Sequence, residues 1–251
     1  MSVFLNMDCM EGMKEYPDKC FDLAIVDPPY GVGSQTVQVE REREREREKG
    51  CAAEPQDGRL KSGLGSAGGL INTISRTGGT WAAKYSQGGV FSEDIRHWDI
   101  APTQEYFDEL ARVSKNQIIW GGNYFDLPPT RCFLVWRKLQ IPLEGFSMSP
   151  VEYAWTSFND NAQMFEAYSS GGSGREERFH PTQKPVALYE WLLRKYAKQG
   201  DKILDTHVGS ASSLIACENM GFEYVGFELY KLYYDKAVER MEKNRRQIKL
   251  F

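Results

Sequence analysis

Short apolar runs alternate with amphipathic segments at both ends of the chain, and the two periods predict an α/β fold. Apolar runs of strand length lie at 3–5, 23–26, 118–120, 133–136, 151–156, 202–204 and 223–227. Helical spacing of apolar residues marks 9–16, 104–115, 185–198, 214–220 and 230–246. Strands without polar alternation are typical of parallel sheets that are covered on both faces. We therefore expect a mostly parallel, doubly wound sheet.

The run at 23–26 stops at an acid, two prolines and an aromatic ring. Asp27 follows the predicted strand directly, and Pro28, Pro29 and Tyr30 complete the sequence DPPY. The prolines stiffen the loop and remove two backbone donors, which leaves a carboxylate and carbonyls free to accept hydrogen bonds beside a ring. Such a loop suits a flat heterocycle with an amino group. The motif alone fits an ordinary strand that ends in a proline turn equally well.

A second series of strand, acid, glycine turn and helix lies near the other end of the chain. The strand at 202–204 delivers Asp205, the turn THVGSASS leads into a helix, and the next strand ends at Glu228. An acid about 20 residues beyond a glycine turn is placed to accept hydrogen bonds from both hydroxyls of a ribose. The alternative is an ordinary β-α-β unit without a ligand.

The stretch 31–97 interrupts this pattern. Residues 40–49 read EREREREREK, a run that buries nothing as either a strand or a helix, and glycine-rich segments follow it. No phosphate-binding motif of the G-x-x-x-x-G-K-[ST] type occurs there. The pattern predicts one α/β domain formed by 1–30 and 98–251, with 31–97 as a flexible insertion that could form a flap over nucleic acid.

Composition limits the kinds of protein and binding site that the chain can form. The chain has 251 residues, a net charge of −4 and a pI near 5.6, so a nucleic-acid surface must be a local patch. Its five cysteines form no C-x-x-C pair, and its three histidines are scattered, which favours reduced thiols over a disulfide framework or a zinc site. The sequence shows neither a signal peptide nor an apolar run of membrane-spanning length. We expect a cytoplasmic protein of a bacterial or phage-infected cell.

Three motifs together resemble the amino-methyltransferases of DNA that use S-adenosylmethionine. DPPY at 27–30 resembles the catalytic motif of the family, HPTQKP at 180–185 its tenth motif, and DTHVGSAS at 205–212 its cofactor loop. Their order, with the catalytic motif first, is that of the circularly permuted β class. WGGNYF at 120–125 is similar to phage and prophage members. The resemblance implies a Rossmann-like methyltransferase fold and S-adenosylmethionine as cofactor.

The same resemblance implies a mechanism without a covalent enzyme intermediate. Asp27 and the carbonyl of Pro28 would accept hydrogen bonds from the exocyclic amine of a base flipped out of duplex DNA. The nitrogen lone pair is then directed at the methyl group for in-line displacement. Tyr30 would stack on the base, and Pro29 belongs to the same rigid motif.

The resemblance also implies the cofactor site. The loop from Asp205 would hold the amino-acid end, with the Lys184 ammonium on a carboxylate; Glu228 would take the ribose hydroxyls and Asp8 the adenine amine. The full implied set is Asp8, Thr182, Lys184, Pro185, Asp205, Thr206, Gly209, Ser210 and Glu228. From the residues alone, Asp8 is either a helix N-cap or an acid that faces a ligand. Ala211 stands where the family usually has glycine, and we expect it to be an unstrained first helical residue.

The Asp form of the catalytic motif is typical of adenine enzymes, so adenine is the predicted target, with the amine of cytosine as the alternative. A catalytically silent binding protein is a further alternative. The candidates for contact with DNA are Arg137, Lys138, Arg175 and Arg178. Permuted family members are often dimers, which implies a homodimer. No nuclease motif is evident, so the protein is either a solitary methylase or half of a modification system.

Overall fold

The structure is a computed structural model that describes residues 1–31, 99–144, 149–168, 179–180 and 182–247. Within these residues the chain forms one eight-stranded sheet with helices on both faces. The strands are β1 (Val3–Asn6), β2 (Phe21–Val26), β3 (Ser114–Trp120), β4 (Leu134–Lys138), β5 (Val151–Thr156), β6 (Gln163–Ala167), β7 (Lys202–Asp205) and β8 (Glu223–Glu228). The helices are α1 (Cys9–Lys14), α2 (Gln104–Val113), α3 (Val186–Tyr196), α4 (Ser212–Met220) and α5 (Lys231–Arg246), with a 3-10 turn at Gly122–Tyr124.

The strand order is β1-β8-β7-β2-β3-β5-β4-β6, and β5 alone in this sheet is antiparallel to its neighbours. From β7 the chain proceeds to β8 on one side, whereas from β2 it proceeds to β3 on the other. The order therefore reverses between β7 and β2, and ligands of open α/β sheets bind beyond the carboxyl ends of the strands at such a point. The predicted Rossmann-like, mostly parallel and doubly wound fold is confirmed.

Alternate residues of β2 show why the sheet is covered on both faces. Leu23 and Ile25 pack into one apolar cluster with residues of α3 and α4, whereas Ala24 and Val26 pack into a second cluster with residues of α1 and α2. All four are almost completely buried. This explains the unbroken apolar run in the sequence, and it fixes Asp27 at the carboxyl edge of the sheet.

The predicted helix at 104–115 is two residues too long. Helix α2 ends at Val113, and Ser114 has extended dihedral angles (φ −119°, ψ 146°) and begins β3 without a loop. The Ser114 hydroxyl donates to the carbonyl of Leu110 and so satisfies a carbonyl at the end of the helix. Strand β6 was not predicted. It pairs only with β4 and buries none of its residues fully, so its sequence lacks a strong apolar pattern.

Residues Met1–Tyr30 and Pro102–Phe251 form one compact unit, and Gly31–Ala101 form another. The predicted insertion at 31–97 lies outside the described residues apart from Gly31, so its flexibility and its role as a flap stay predictions. Among the described helices, none has the length and apolarity needed to cross a membrane.

Candidate active site

Three acids lie at the carboxyl ends of adjacent parallel strands. Asp27 follows β2, Asp205 is the last residue of β7, and Glu228 is the last residue of β8. Strand β7 lies between β2 and β8 in the sheet. The fold thus brings acids about 200 residues apart in the chain to one edge, at the point where the strand order reverses.

Two side chains hold the Asp27 carboxylate. The Tyr30 hydroxyl donates to Oδ1 at 2.7 Å, and the Lys184 ammonium donates to Oδ2. Burial raises the pKa of Asp27, and Lys184 opposes that rise. Since a carboxylate oxygen can accept two hydrogen bonds, Oδ1 retains capacity for a ligand donor. The resemblance assigned Lys184 to the cofactor, whereas in this structure its ammonium contacts Asp27 and Glu152.

Tyr30 lies in an aromatic cluster. Its ring stacks on Tyr124 with 4.9 Å between the centroids and 17° between the planes, and Phe125 meets it edge-on. Tyr124 is 52% exposed, so the stack reaches the surface. Sequence reasoning quoted Tyr124 only as part of a motif and did not identify this contact.

The glycine pair after β3, Gly121 and Gly122, makes room for side chains of the protein. A Cβ atom on Gly121 would overlap the Tyr30 ring, and one on Gly122 would overlap Trp155. Gly121 also has φ +70°, a conformation that disfavours other residues. Gly121 therefore allows Tyr30 to lie against Asp27, whereas Gly122 allows close packing of Trp155.

Gly121→Ala is expected to displace the Tyr30 ring and destabilise the fold by about 3 kcal/mol, from backbone strain and steric overlap together. Chemical denaturation of the wild type and the variant checks this value. Gly200→Ala is the matched control, because Gly200 has φ +95° but no atom within 4 Å of the added Cβ. The control should lose only about 1 kcal/mol. Equal losses in the two variants would show that Tyr30 does not need the space.

Glu228 ties the glycine loop to the next helix. Its Oε2 accepts from the Gly209 amide at 2.8 Å and its Oε1 from the Tyr230 amide at 2.9 Å. Burial raises the pKa of this carboxyl. Gly209 has φ +53°, and a Cβ there would lie 3.2 Å from the His180 ring. Glycine is therefore favoured at Gly209 both by its backbone conformation and by the close approach of His180.

The expectation for Ala211 is wrong. Ala211 lies one residue before helix α4, with φ +61° and ψ 22°, in the left-handed region. That conformation costs a non-glycine residue about 1–2 kcal/mol. The methyl group is fully buried, which offsets part of the cost. The loop therefore adopts the glycine-type conformation although its residue is alanine.

Arg240 of helix α5 forms hydrogen bonds with this glycine loop. The sequence analysis did not identify Arg240 as a site residue. Its Nη1 donates to the Ser210 carbonyl at 2.6 Å and to the Ser212 hydroxyl at 2.8 Å. The Ser212 hydroxyl in turn donates to the Lys184 carbonyl at 2.7 Å, which links the loop to the HPTQKP segment. Its spacing in the sequence could have identified it. Arg240 lies three residues after buried Ala237, so it falls on the apolar face of the helix and its charge needs a partner inside the protein.

Asp205 is buried and accepts two hydrogen bonds within its own loop. The His207 amide donates to Oδ1 at 3.0 Å, and the Ser213 hydroxyl donates to Oδ2. Burial raises the pKa of Asp205 to about 7 and lowers that of His207 to about 4. Thr206 lies between two rings, with its hydroxyl 2.6 Å from the Tyr106 hydroxyl and 2.9 Å from His207 Nδ1.

Asp205→Asn is expected to stabilise the protein increasingly as the pH rises from 4 to 7. The unfolded carboxyl ionises near pH 4 whereas the folded one stays protonated to about pH 7, so the wild type loses stability over that interval. Above pH 7 both states are ionised and the difference is constant. Thermal unfolding should show a gain of roughly 5 °C at pH 7. The exposed control Asp235→Asn should show no such growth, and a constant difference for Asp205→Asn would contradict this assignment.

The other predicted cofactor residues take local roles. Asp8 caps helix α1, where its Oδ1 accepts from the Met10 amide at 2.7 Å and from the Glu11 amide at 3.4 Å. Pro185 precedes helix α3 as its N-cap, and the Thr182 hydroxyl lies 3.2 Å from His180 Nδ1. The N-cap interpretation of Asp8 is thus correct, and its contact with a cofactor stays a prediction.

Two of the four cations predicted to contact DNA are used inside the protein. Arg137 donates to the carbonyls of Ile141 and Pro150, and Lys138 pairs with Glu152 at 2.6 Å. Arg175 and Arg178 lie outside the described residues. The DNA-contacting surface therefore stays a prediction. In the part of the chain that the structure describes, no cluster of side chains could hold a metal ion.

The second half of the chain is similar in sequence to DNA methylases. Residues 130–239 match the family N6_N4_Mtase, described as DNA methylase. The chain is 33% identical over 87 residues to the type II methyltransferase M2.DpnII of Streptococcus pneumoniae, and 32% identical over 89 residues to M2.LlaDCHI of Lactococcus lactis. These alignments cover 34% of this chain in each case, and 32% and 33% of the two relatives. The chain therefore spans about a third of the length of these curated relatives.

Two solved structures share the fold over almost the whole chain. One is TTHA0409 of Thermus thermophilus complexed with S-adenosyl-L-methionine, with a TM-score of 0.50 and 16% identity, covering 99% of this chain and 98% of that one. The other is the cytosine-N4-specific PvuII DNA methyltransferase, with a TM-score of 0.51 and 12% identity, covering 97% and 90%. The matched family segment contains Lys184, Asp205 and Glu228, whereas Asp27 and Tyr30 lie before it.

Proposed function

We propose that this protein is a DNA methyltransferase that moves a methyl group from S-adenosylmethionine to the exocyclic amine of adenine. One observation carries the proposal: a partly buried acid on a rigid Pro-Pro loop and an acid-anchored glycine loop lie at the same switch point of the sheet. The family match supports methyl transfer to DNA.

The residues beside the glycine loop fit the cofactor. Glu228 is held by two amides and retains acceptor capacity on both oxygens, as binding of a ribose diol requires. Gly209 and the buried acid Asp205 define a narrow turn at the end of β7. Asp8 at the end of the neighbouring strand β1 would take the adenine amine. When bound, S-adenosylmethionine supplies an electrophilic methyl group on a sulfonium.

Asp27 and its loop would act on the target amine. The carboxylate and the Pro28 carbonyl accept hydrogen bonds from the two N–H groups of the amine, which reduces conjugation of the nitrogen with its ring and directs its lone pair at the methyl group. Asp27 also stabilises the positive charge that develops on nitrogen during transfer. The Pro-Pro sequence holds these acceptors rigid, so little reorganisation is needed.

A base has to leave the duplex to reach Asp27, and Tyr30 offers it a stacking surface. Stacking on an aromatic ring contributes about 1–3 kcal/mol against an unstacking cost of a few kcal/mol. The Tyr30 ring carries Tyr124 on one face, so the base would use the other face or displace Tyr124. The proposal also includes base flipping, a homodimer and DNA contacts from the 31–97 segment.

Sequencing of modified bases in a host that expresses the protein tests the proposal. We expect N6-methyladenine at one short recognition sequence and none in a host that expresses the Asp27→Ala variant. Methylation at N4 of cytosine instead would support transfer to an exocyclic amine but would show that the target base is cytosine and not adenine. Calorimetry with S-adenosylmethionine addresses the silent alternative, because absence of binding at millimolar cofactor would contradict the proposal.

A further inference from the structure

Lys184 lies at the centre of a chain of four charged side chains. Its ammonium contacts the Asp27 carboxylate and lies 3.1 Å from Glu152 Oε2, and Lys138 lies 2.6 Å from Glu152 Oε1. The Lys184 side chain is only 2% exposed, and its ammonium lies 5.4 Å from the centre of the Trp120 ring. The four charges come from separate parts of the fold, since Asp27 follows β2, Glu152 lies on β5 and Lys138 on β4.

Lys184 is the buried member of this chain, whereas Asp27, Glu152 and Lys138 keep 14%, 25% and 14% of their side-chain surface exposed, and a buried ammonium of this kind contributes little to stability. Desolvation of each ion costs several kcal/mol, and apolar replacements of buried ion pairs are often neutral or stabilising. Stability alone therefore does not account for a buried lysine between two carboxylates. The position of Lys184 against Asp27 suggests a role in the chemistry of the site.

We propose that Lys184 is a positioning residue for Asp27, with Glu152 as its second acceptor. The Lys184 ammonium fixes Oδ2 of Asp27 and keeps the carboxylate ionised, so that Oδ1, which also accepts from the Tyr30 hydroxyl, is presented to the target amine. This inference rests on the proposed function, and it differs from the role of cofactor-carboxylate ligand that the resemblance implied for Lys184.

The signs of the neighbouring charges make the inference specific. Burial alone would lower the pKa of Lys184, but the two carboxylates outweigh it and that pKa is raised. Lys184 lowers the pKa of Asp27, whereas Glu152 raises it. The groups that face Asp27 from the surrounding elements are Tyr30, Tyr106, Glu152, Lys184, Tyr189 and Asp205. Removal of Lys184 and removal of Glu152 should therefore shift the Asp27 titration in opposite directions.

The test compares Lys184→Met with Glu152→Gln by the pH profile of kcat and by calorimetry with S-adenosylmethionine. For Lys184→Met we expect at least a 10-fold loss of kcat at pH 7, partial recovery at pH 9, and a Kd for the cofactor within 3-fold of the wild type. For Glu152→Gln the acid limb of the pH profile of kcat should move to lower pH. Lys138→Met, which removes the outer cation, should shift the limb less than Lys184→Met does.

Carbon-13 NMR of the Asp27 carboxyl gives a readout that does not require activity. The titration should move to higher pH in Lys184→Met and to lower pH in Glu152→Gln. If the wild type transfers no methyl group, the proposed function fails, but the NMR shifts still test the role of Lys184. An unchanged Asp27 titration in Lys184→Met would overturn the inference, as would a 30-fold weaker cofactor affinity with an unchanged pH profile. If Lys184→Met fails to fold, Lys184→Gln replaces it, and an unchanged Asp27 titration in that variant would likewise overturn the inference.

Discussion

Asp27→Asn is expected to lower the rate of methyl transfer by about 10²- to 10³-fold, because the amide removes the negative charge that stabilises the developing cation. Asparagine keeps the shape of the side chain, so Tyr30 and Lys184 retain a neighbour of the same size. The affinity for S-adenosylmethionine should stay within about 3-fold, since loss of transition-state stabilisation leaves ground-state binding of the cofactor unchanged. Single-turnover transfer of a labelled methyl group measures the rate, and calorimetry measures the affinity.

Asp22→Asn is the matched control for Asp27→Asn. Asp22 lies on the same strand, but its carboxylate pairs with Lys115 and accepts from the Lys202 amide away from the carboxyl edge of the sheet. The control should transfer the methyl group at the rate of the wild type. Thermal unfolding must first show that both variants are folded, because Asp27→Asn weakens a buried ion pair. Retention of more than a tenth of the wild-type rate in Asp27→Asn would exclude the assigned role.

Glu228→Gln is expected to weaken binding of S-adenosylmethionine by roughly 10- to 100-fold, because the hydrogen bonds to an ionised acceptor are lost. The amide also places an NH₂ group against the Gly209 or the Tyr230 amide, both of which donate to Glu228. One buried donor is then unsatisfied, which should destabilise the fold by about 1–3 kcal/mol. Calorimetry and chemical denaturation measure the two effects.

Glu223→Gln provides the comparison on the same strand β8. Glu223 is 61% exposed, and its carboxylate pairs with the amino terminus at the opposite end of the strand from Glu228. We expect no change in cofactor affinity for this variant. A Glu228→Gln protein that binds the cofactor as tightly as Glu223→Gln would place the ribose elsewhere.

The ends of β2, β7 and β8 were predictable from the sequence. These strands are buried, so each consists mainly of consecutive apolar residues, and the end of such a run marks the end of the strand. An acid that follows such a run has to lie at the carboxyl edge of the sheet, which is why Asp27, Asp205 and Glu228 could be grouped. Strand β6 has one paired side and partly exposed residues, so its sequence carries a weak pattern. The strength of the prediction followed the degree of burial.

The partner of a buried charge was not predictable in the same way. The sequence marks Lys184 as a cation between Gln183 and Pro185 in the HPTQKP segment, but the choice between a cofactor carboxylate and Asp27 depends on the sheet register. Glu152 faces Trp136 across the β4–β5 pair, and this register brings its carboxylate to Lys184. An acid within the apolar run of β5 was the available signal.

The left-handed conformation of Ala211 had no signal in its residue type, because alanine rarely adopts it. The conformation is set by the turn between β7 and α4, which the neighbouring Gly209 and the Arg240 contact to the Ser210 carbonyl hold in place. This constraint comes from the tertiary structure, so the residue type of Ala211 alone does not indicate its backbone conformation.

Transfer of an isotope-labelled methyl group from S-adenosylmethionine to duplex DNA is the decisive measurement of the proposed activity. The purified protein is incubated with DNA of mixed sequence, and the DNA is digested to nucleosides and analysed by mass spectrometry. We expect label on N6 of deoxyadenosine, and at most about a hundredth of that label with the Asp27→Asn protein at equal incubation time. A wild-type protein that is folded and binds S-adenosylmethionine but leaves no label on any exocyclic amine of the DNA would refute the proposed activity.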